Sequence, residues 1–344
     1  MRFYIGTDTR TSSEGLYLGS LEITTGKILL IDNIATLNHP SFVSIHPSGN
    51  YLYAISENDN QVYSYMITPT SDGLVLLDKK PTNGSLPCYI SITANGQLLF
   101  IANYMGGNCI TLQLKKGGLM ELSDEIVHEG SGKDTDRQEA PHPHSIVPDP
   151  LSRFVYVADL GIDKIMIYEI DYKEGKLNPA KIPYQEVRSG SGPRHFIFYN
   201  NSGYAYVVNE FHSTITAFVV DHELGRLSEI QTISTIPNNF PGTNSAADIH
   251  IRGAFLYASN RGHNSISIFK IDQKSGKLQP VRCESVQGET PRNFAIDPTG
   301  KFVLVANQDT NNITCFKINS TTGELEYTGF QLEVPLPQCI KFIT

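Results

Sequence analysis

Short runs of alternating apolar and polar residues recur along this chain, and three kinds of run follow one another in a fixed order. The first begins at a proline, as in Gly192-Pro-Arg-His-Phe-Ile-Phe198, and the second ends in a polar pair, as in Tyr204-Ala-Tyr-Val-Val-Asn-Glu210, after a turn at Asn201-Ser202-Gly203. The third alternates strictly, as in Ile266-Ser-Ile-Phe-Lys-Ile271, and precedes a turn of the form Gly-x-Leu. Such alternation predicts half-buried β-strands, and no long window shows a helical period. The pattern therefore predicts an all-β protein.

The turn glycine recurs at regular intervals, which makes the chain a set of repeats. It is found at Gly26, Gly73, Gly118, Gly175, Gly225, Gly276 and Gly323. Units of about 45–57 residues with four strands each are typical of β-propeller blades. The first unit, in residues 1–35, lacks a proline-led strand, and residues 336–344 supply one. We therefore predict a seven-bladed β-propeller forming a single domain, residues 1–344, closed by a blade that the two termini share.

The repeat also predicts which side chains meet. If the proline-led strand is innermost and the second strand returns beside it, two residues of each unit lie at one mouth of the central channel. The residues after the proline are Ser41, Cys88, His144, Arg194, Asp248, Arg292 and Gln338, where Asp248 belongs to a proline-free copy. The second members of the polar pairs are Glu57, Tyr104, Leu160, Glu210, Arg261, Gln308 and Thr7. A lone charge at a strand end is usually a solvated group, but several at equivalent positions of a ring indicate a site.

Two insertions interrupt the repeat, at residues 123–141 and 236–247. Each joins an outer strand to the next inner strand, so both are expected on the face that carries the charged residues. Long loops over one face of a regular scaffold often build or cover a site. Tolerated variation in loop length is the alternative interpretation.

Composition narrows the classes of function. The apolar content of 40% is sufficient for a buried core, and the net charge of −8 argues against a nucleic-acid partner. We expect no membrane segment, because no run of 18 apolar residues exists, and no signal peptide, because the first residues lack an apolar region. The five cysteines show no Cys-x-x-Cys spacing, which favours reduced residues in a cytoplasmic protein.

At this point the chain resembles a known family, the seven-bladed lactonase propellers, which include bacterial 6-phosphogluconolactonases and the fungal 3-carboxy-cis,cis-muconate lactonizing enzyme. The residues that carry the resemblance are Gly192-Pro-Arg-His195, Tyr204-Ala-Tyr-Val-Val-Asn-Glu210, Ala246-Ala-Asp-Ile-His250, Leu256-Tyr-Ala-Ser-Asn-Arg261 and Pro291-Arg292. The resemblance implies that the family's active-site His, Arg, Glu and Arg fall on His144, Arg194, Glu210 and Arg261. These four already lie at one mouth in the repeat alignment.

Lactone hydrolysis needs an activated water, a stabilised oxyanion and a grip on an anionic substrate. His144 and Glu210 are the candidate general bases, and Arg194 and Arg261 are the candidate donors to an oxyanion, carboxylate or phosphate. The further candidates for substrate binding are His195 and Arg292, for contact with a phosphate, and Asp248, for orienting an arginine or histidine. The remaining histidines are expected as packed core groups (His195 and His250) or as surface and loop groups (His46, His142, His212 and His263).

We expect no metal and no cofactor, although a metal site at His142 and His144 is an alternative, since residues i and i+2 share a strand face. The absence of a Gly-x-Ser-x-Gly motif weakens covalent catalysis, and the absence of tryptophan argues against a WD40 scaffold.

The leading hypothesis is hydrolysis of a small anionic sugar lactone, foremost 6-phosphogluconolactone, by a monomer or weak homo-oligomer. The alternatives are a muconate-type lactonizing cycloisomerase and a propeller that binds a ligand or protein without catalysis.

Overall fold

The computed structural model describes residues 1–199 and 203–343, and these residues form seven antiparallel sheets of four strands. Part of the predicted Asn201-Ser202-Gly203 turn lies outside the described residues. We number the blades from the first complete one. Blade 1 contains β4 (Phe42–Ile45), β5 (Tyr51–Ser56), β6 (Gln61–Ile67) and β7 (Leu74–Pro81); blade 2 contains β8 (Pro87–Ile92), β9 (Leu98–Asn103), β10 (Asn108–Leu114) and β11 (Met120–Val127).

The other five blades repeat this arrangement, each beginning with its innermost strand. Blade 3 contains β12 (Pro143–Pro148), β13 (Phe154–Asp159), β14 (Lys164–Asp171) and β15 (Lys176–Glu186). Blade 4 contains β16 (Pro193–Phe198), β17 (Tyr204–Asn209), β18 (Thr214–Asp221) and β19 (Arg226–Ser234). Blade 5 contains β20 (Ser245–Arg252), β21 (Phe255–Arg261), β22 (Ser265–Ile271) and β23 (Leu278–Ser285). Blade 6 contains β24 (Pro291–Ile296), β25 (Phe302–Asn307), β26 (Asn312–Ile318) and β27 (Leu325–Glu333), and blade 7 contains β28 (Pro337–Phe342), β1 (Arg2–Thr7), β2 (Gly15–Leu21) and β3 (Ile28–Thr36).

The inner strands meet in sequence around a closed ring. Each contacts the inner strands of the two neighbouring blades, and β28 contacts β4 to complete the circle. Within blade 7, β28 pairs with β1 in antiparallel register, with Ile5 opposite Ile340. The predicted seven-bladed propeller, closed by one blade that both terminal segments share, is therefore confirmed.

Bulges in the inner strands explain why the residue after each proline points into the channel. In blade 4, Pro193 lies opposite Asn209 and His195 opposite Val208, so Arg194 is an extra residue between two ladder positions. Cys88, His144 and Arg292 occupy the same kind of bulge in blades 2, 3 and 6. A bulge interrupts the alternation and redirects one side chain.

Two positions of the predicted columns are wrong by one residue. In blade 5 Ala246 pairs with Asn260 and Ile249 with Ala258, which places Ala247 at the position of Arg194 and Asp248 at that of His195. Because this copy has no proline, nothing in the sequence marks which residue occupies the bulged position. In blade 7 the residue equivalent to Glu210 is Asp8 and not Thr7. The Asp8 amide donates to the carbonyl of Leu336, just as the Glu210 amide donates to the carbonyl of Gly192.

The hydrophobic core lies between neighbouring blades. Tyr206 and Val208 of blade 4, for example, pack in one cluster with Leu256 and Phe269 of blade 5. The same interface holds a buried hydrogen bond, in which the Tyr206 hydroxyl donates to the carbonyl of the turn residue Gly276 at 2.8 Å. Tyr4, Tyr156 and Tyr257 make the equivalent bond to Asp72, Gly225 and Gly323. The turn that marks the repeat in the sequence therefore also joins adjacent blades.

The insertions are shorter than predicted, because residues 123–127 belong to β11 and residues 245–247 to β20. The described residues contain no helix that is long and apolar enough to cross a membrane. All five cysteines are free thiols, and Cys283 alone is more than slightly exposed, as expected for reduced strand residues.

The blade interface generates a first prediction. Tyr206→Phe removes the hydroxyl and leaves the buried Gly276 carbonyl without its donor, so we expect the free energy of unfolding to fall by about 1–3 kcal/mol. Urea unfolding measures this as a lower midpoint at unchanged slope. The matched control is Tyr204→Phe, whose hydroxyl donates to the carbonyl of Lys274 at the exposed rim of the same interface. Equal losses in the two variants would show that the buried bond does not hold the blades together.

Candidate active site

A buried carboxylate surrounded by arginines forms the centre of the channel mouth. Glu210 directly follows β17 and is 4% exposed. Its Oε2 lies 3.1 Å from Arg194 Nε and 2.9 Å from Arg261 Nη2, and its Oε1 accepts a hydrogen bond of 3.0 Å from Arg137 Nη2. Three guanidinium groups thus neutralise one carboxylate, and the cluster keeps an excess of positive charge.

The arginines are themselves fixed by backbone carbonyls. Arg194 Nη1 donates to Ala247 O at 2.5 Å, and Arg261 donates through Nε and Nη2 to Ser245 O and Ala246 O. The first residues of β20, where the bulge begins without a proline, therefore supply the acceptors that orient both side chains. Arg137 reaches the same carboxylate from the loop before β12 and also donates to the Tyr104 hydroxyl at 3.3 Å.

The mutual burial of these charges shifts their protonation equilibria. Burial alone would raise the pKa of Glu210, but Arg261, Arg194 and Arg137 outweigh it and lower the pKa to about 2. Burial, together with repulsion from Arg261 and Arg292, lowers the pKa of Arg194 to about 9. At neutral pH Glu210 is thus ionised and a weak base, and the arginines remain cations.

His144 occupies the bulge of blade 3, next to this cluster, and is buried. Burial and the positive charges of Arg194, His195 and Arg292 hold the pKa of His144 well below its usual value of 6.5. Its Nδ1 lies 3.8 Å from the thiol of Cys88, and its ring packs edge-on against Tyr104. The imidazole is therefore neutral at physiological pH and can accept a proton.

A second buried carboxylate lies deeper in the channel. Asp248 contacts His195 Nδ1 at 2.7 Å with one oxygen and His250 Nε2 at 3.0 Å with the other, which also accepts a hydrogen bond from Asn293. Burial opposes ionisation, but His250 and His195 hold the pKa of Asp248 far below its usual range. The expectation of a packed, hydrogen-bonded core histidine is confirmed for His195, which Asp248 orients, whereas His250 is hydrogen-bonded but has a side chain that is 35% exposed.

The side chains enclose two cavities on the channel axis. The upper cavity has a volume of about 280 Å³ and is lined by Glu57, Leu86, Cys88, Tyr104, Arg137, His144, Glu210, Arg261 and Arg292. A lower cavity of about 660 Å³ opens beneath it. Between them the rings of Phe42, Tyr89 and His195 meet across the channel, with the Tyr89 and His195 centroids 5.2 Å apart. The upper cavity is a compact polar pocket, near the lower end of the range of ~300–1,000 Å³ for ligand sites.

The predicted site residues fall into two groups around this pocket. His144, Glu210, Arg261 and Arg292 line the upper cavity, and Arg194 lies in the narrow passage just below it. His195 and Asp248 line the passage or the lower cavity and do not line the upper one. Arg292 differs from the other arginines, because no hydrogen bond or ion pair joins its guanidinium to any residue of the described ranges.

Some residues of the site were missed by the sequence analysis. Arg137 is one, and the only signal for it was its place in an insertion predicted to lie over this face. His39 and Asp8 are the others, as discussed below. His142, expected as a surface or loop group, lies in the loop directly before β12 but is not at the surface: it is 3% exposed and stacked on Tyr104.

The alternative metal site at His142 and His144 finds no support in the geometry. Both ring nitrogens of His142 have partners, the carbonyl of Tyr104 at 2.9 Å and Glu139 at 3.2 Å. Across residues 1–199 and 203–343, no group of three or more His, Cys, Asp or Glu side chains is arranged to hold a metal ion.

Comparison with known proteins now identifies the family. The family model described as Lactonase, 7-bladed beta-propeller, matches residues 2–342. This chain belongs to the 7-bladed β-propeller lactonase family. It is 35% identical over 347 residues to the 6-phosphogluconolactonase of Bacillus subtilis, a match that covers 99% of this chain and 97% of that relative.

Two solved structures of similar proteins agree with this assignment. A periplasmic gluconolactonase from Pseudomonas aeruginosa superposes with a TM-score of 0.95 at 30% identity, covering 100% of this chain and 99% of that one. A putative 6-phosphogluconolactonase from Bacteroides fragilis has a TM-score of 0.93 at 33% identity, with 100% and 98% covered. This family member is therefore a lactone-hydrolysing carboxylic ester hydrolase, which favours hydrolysis over the cycloisomerase and non-catalytic alternatives.

The arginine cluster generates a prediction on stability. Because the pKa of Glu210 is about 2 in the folded protein against an ordinary 4.5, its ionisation stabilises the fold above pH 4.5, and this contribution is lost as the pH falls towards 2. The full difference corresponds to ~3 kcal/mol. We expect Glu210→Gln to be less stable than the wild type between pH 3 and pH 6, because it leaves two buried cations and the half-exposed Arg137 uncompensated, and to lose this part of the pH dependence.

Urea unfolding of the wild type and Glu210→Gln between pH 6 and pH 3 measures the effect. The exposed Glu333→Gln is the control and should keep the wild-type slope. Parallel slopes for the wild type and Glu210→Gln would contradict the assignment.

Proposed function

We propose that this protein hydrolyses 6-phosphogluconolactone to 6-phosphogluconate without a metal, with His144 as the general base. The observation that carries the proposal is a buried histidine without an ion pair to any described residue, on the lining of a compact cavity that also holds the guanidinium groups of Arg137, Arg261 and Arg292. The similarity to proteins named 6-phosphogluconolactonase supports the choice of substrate.

His144 is a better base than Glu210, the other candidate. Two oxygens of Glu210 are occupied by three arginines, and a carboxylate with a pKa of about 2 has little affinity for a proton at neutral pH. His144 has no such ion pair among the described residues. Glu210 is then a positioning residue that holds Arg194, Arg261 and Arg137 together at the mouth of the channel.

The reaction would proceed by direct attack of water. His144 takes a proton from a water molecule in the cavity as the oxygen attacks the lactone carbonyl carbon, and the negative charge that develops on the carbonyl oxygen is stabilised by Arg261. As the tetrahedral intermediate collapses, the bond to the ring oxygen breaks, and the protonated His144 returns the proton to that oxygen. The product is an open-chain hydroxy acid, which loses its carboxyl proton to the solvent. Burial, together with the charge of Arg194, lowers the pKa of His144, so the imidazole is neutral again after each turnover.

Arg292 is the proposed partner of the phosphate. A guanidinium group without an internal partner at a cavity wall is suited to bidentate binding of a phosphate or carboxylate. The exposed part of Arg137, whose side chain is 48% accessible, provides a second cation at the rim. The second candidate substrate is the unphosphorylated gluconolactone, because a protein of nearly the same fold bears the name gluconolactonase. A cytoplasmic location and a monomer or weak homo-oligomer remain predictions, as do the absence of nucleic-acid and membrane partners.

Removal of the base tests the mechanism. We expect His144→Asn to lower kcat on fresh 6-phosphogluconolactone by about 10²–10⁴-fold with little change in KM, since the residue acts in the chemical step.

The wild-type kcat/KM should stay constant as the pH is lowered through 6.5 and decline only below it, because the pKa of His144 is held low. The measurement is a coupled or pH-stat assay with the spontaneous hydrolysis subtracted. His212→Asn, at an exposed histidine of the same face, is the control. Full activity of His144→Asn would rule out this base.

Two substrates test the role of Arg292. We expect Arg292→Ala to raise KM for 6-phosphogluconolactone by about 10–100-fold, the loss of one or two charge-assisted hydrogen bonds, and to leave kcat/KM for gluconolactone within about threefold. Arg282→Ala, at a half-exposed arginine of the outer strand β23, is the matched control. Equal losses on both lactones would place Arg292 at the reacting carbonyl and not at the phosphate. Wild-type turnover of the unphosphorylated lactone alone would redirect the substrate assignment.

A further inference from the structure

A second carboxylate lines the upper cavity, and the mechanism above does not use it. Glu57 follows β5 in blade 1, at the blade position that Glu210 occupies in blade 4, and its backbone amide donates to His39 O at 3.1 Å. Its side chain is 10% exposed and belongs to the same cavity wall as Leu86 and Cys88, with Arg261 and Arg292 also on the lining. The lining of the pocket therefore carries three guanidinium groups and, in addition to Glu210, a carboxylate that no arginine of the described residues contacts.

A buried histidine lies beside Glu57. His39 Nε2 lies 3.3 Å from Glu57 Oε2 and 3.2 Å from its hydrogen-bond partner Gln338 Oε1, and His39 Nδ1 lies 3.7 Å from Asp8 Oδ1. His39 has a φ of 49°, in the left-handed region that a residue with a side chain seldom adopts, directly before Pro40. The buried carboxylate of Asp8 is in turn held by Arg10 and contacted by Gln338. Blades 1 and 7 thus contribute a preorganised group to the pocket on the side opposite Glu210.

The two carboxylates of the pocket differ in how many hydrogen bonds they can still accept. Glu210 is contacted by three guanidinium groups, which leaves little capacity for a ligand. Glu57 contacts His39 alone among the side chains that the structure describes, through Oε2. An ionised carboxylate has about four acceptor sites on its two oxygens, so Glu57 keeps most of its capacity for donors within the cavity.

We propose that Glu57 determines specificity for polyhydroxylated lactones by accepting hydrogen bonds from the ring hydroxyl groups of the substrate. This inference rests on the proposed function, in that it assigns a role within the same pocket. A carboxylate accepts from two neighbouring hydroxyl groups at once, and such charge-assisted bonds are shorter and stronger than those between neutral groups. A lactone ring without hydroxyl groups offers no donor, so it would leave Glu57 desolvated and unsatisfied.

The test compares two six-membered lactones that differ only in ring substituents, glucono-δ-lactone and δ-valerolactone. Glu57→Gln keeps the size of the side chain and removes its charge and half of its acceptors. We expect kcat/KM for glucono-δ-lactone to fall by about 10–100-fold, mostly through KM. For δ-valerolactone we expect a change of no more than about twofold. Initial rates in a pH-stat with background subtraction give both values, and neither substrate carries a phosphate, so the role of Arg292 does not enter.

Asp309→Asn is the matched control, because it also removes one negative charge from this face but at an exposed residue that does not line the cavity. It should leave both lactones unchanged, and urea unfolding of all variants verifies that they are folded. An equal loss on the two lactones, or no loss on either, would overturn the role of Glu57 while leaving lactone hydrolysis intact. If the wild-type protein hydrolyses none of the three compounds, glucono-δ-lactone, δ-valerolactone and 6-phosphogluconolactone, the proposed function itself is refuted.

Discussion

The site depends on one electrostatic constraint, the burial of a carboxylate among cations from three different segments of the chain. Glu210 alone would be costly to bury, and so would Arg194, which is 2% exposed. Together they compensate each other, and because Arg137 and Arg261 complete the contact, blades 4 and 5 and the loop before β12 converge on a single point. The remaining positive charge adds to the effect of burial in holding the pKa of His144 below its usual value, and under the proposed function it attracts an anionic substrate to the channel mouth.

In the propeller, the residues that hold the blades together are different from the residues that line the pocket. Cores between neighbouring blades and the tyrosine–turn hydrogen bonds hold each sheet against the next, and none of these groups lines the upper cavity. The channel is divided by three aromatic rings, so the lower cavity, with Asp248 and its two histidines, is a separate compartment. Rigid walls of this kind suit a reaction that needs a fixed oxyanion donor and a fixed base more than it needs motion.

The repeat made most of the fold predictable, because seven turn glycines and the proline-led runs fix the blade number, the strand order and the closure. The same regularity located His144, Arg194, Glu210, Arg261 and Arg292, each at a position set by a bulge or a strand end. It was wrong where the markers are missing: Asp248 lies one residue from its assigned column because its copy has no proline. It could not find Arg137, because the path of an irregular loop depends on tertiary contacts such as the bond from the buried Gln138 to the carbonyl of Leu160. Nor could it foresee which charges are satisfied internally, and that difference separates Glu57 from Glu210.

The bulged residues of the inner strands have a consequence for how such a site can change. A bulged residue belongs to neither face of the pleat, so its identity is not tied to the hydrophobic alternation that builds the blade. The residues at the channel mouth can therefore differ from blade to blade while the scaffold stays constant. In this protein two of these bulged positions hold residues without a charged side chain, Ala247 and Gln338. Ala247 is fully buried and Gln338 hydrogen bonds to His39 and Gln308, so a nucleophile or a cation at either position would require matching changes in its neighbours.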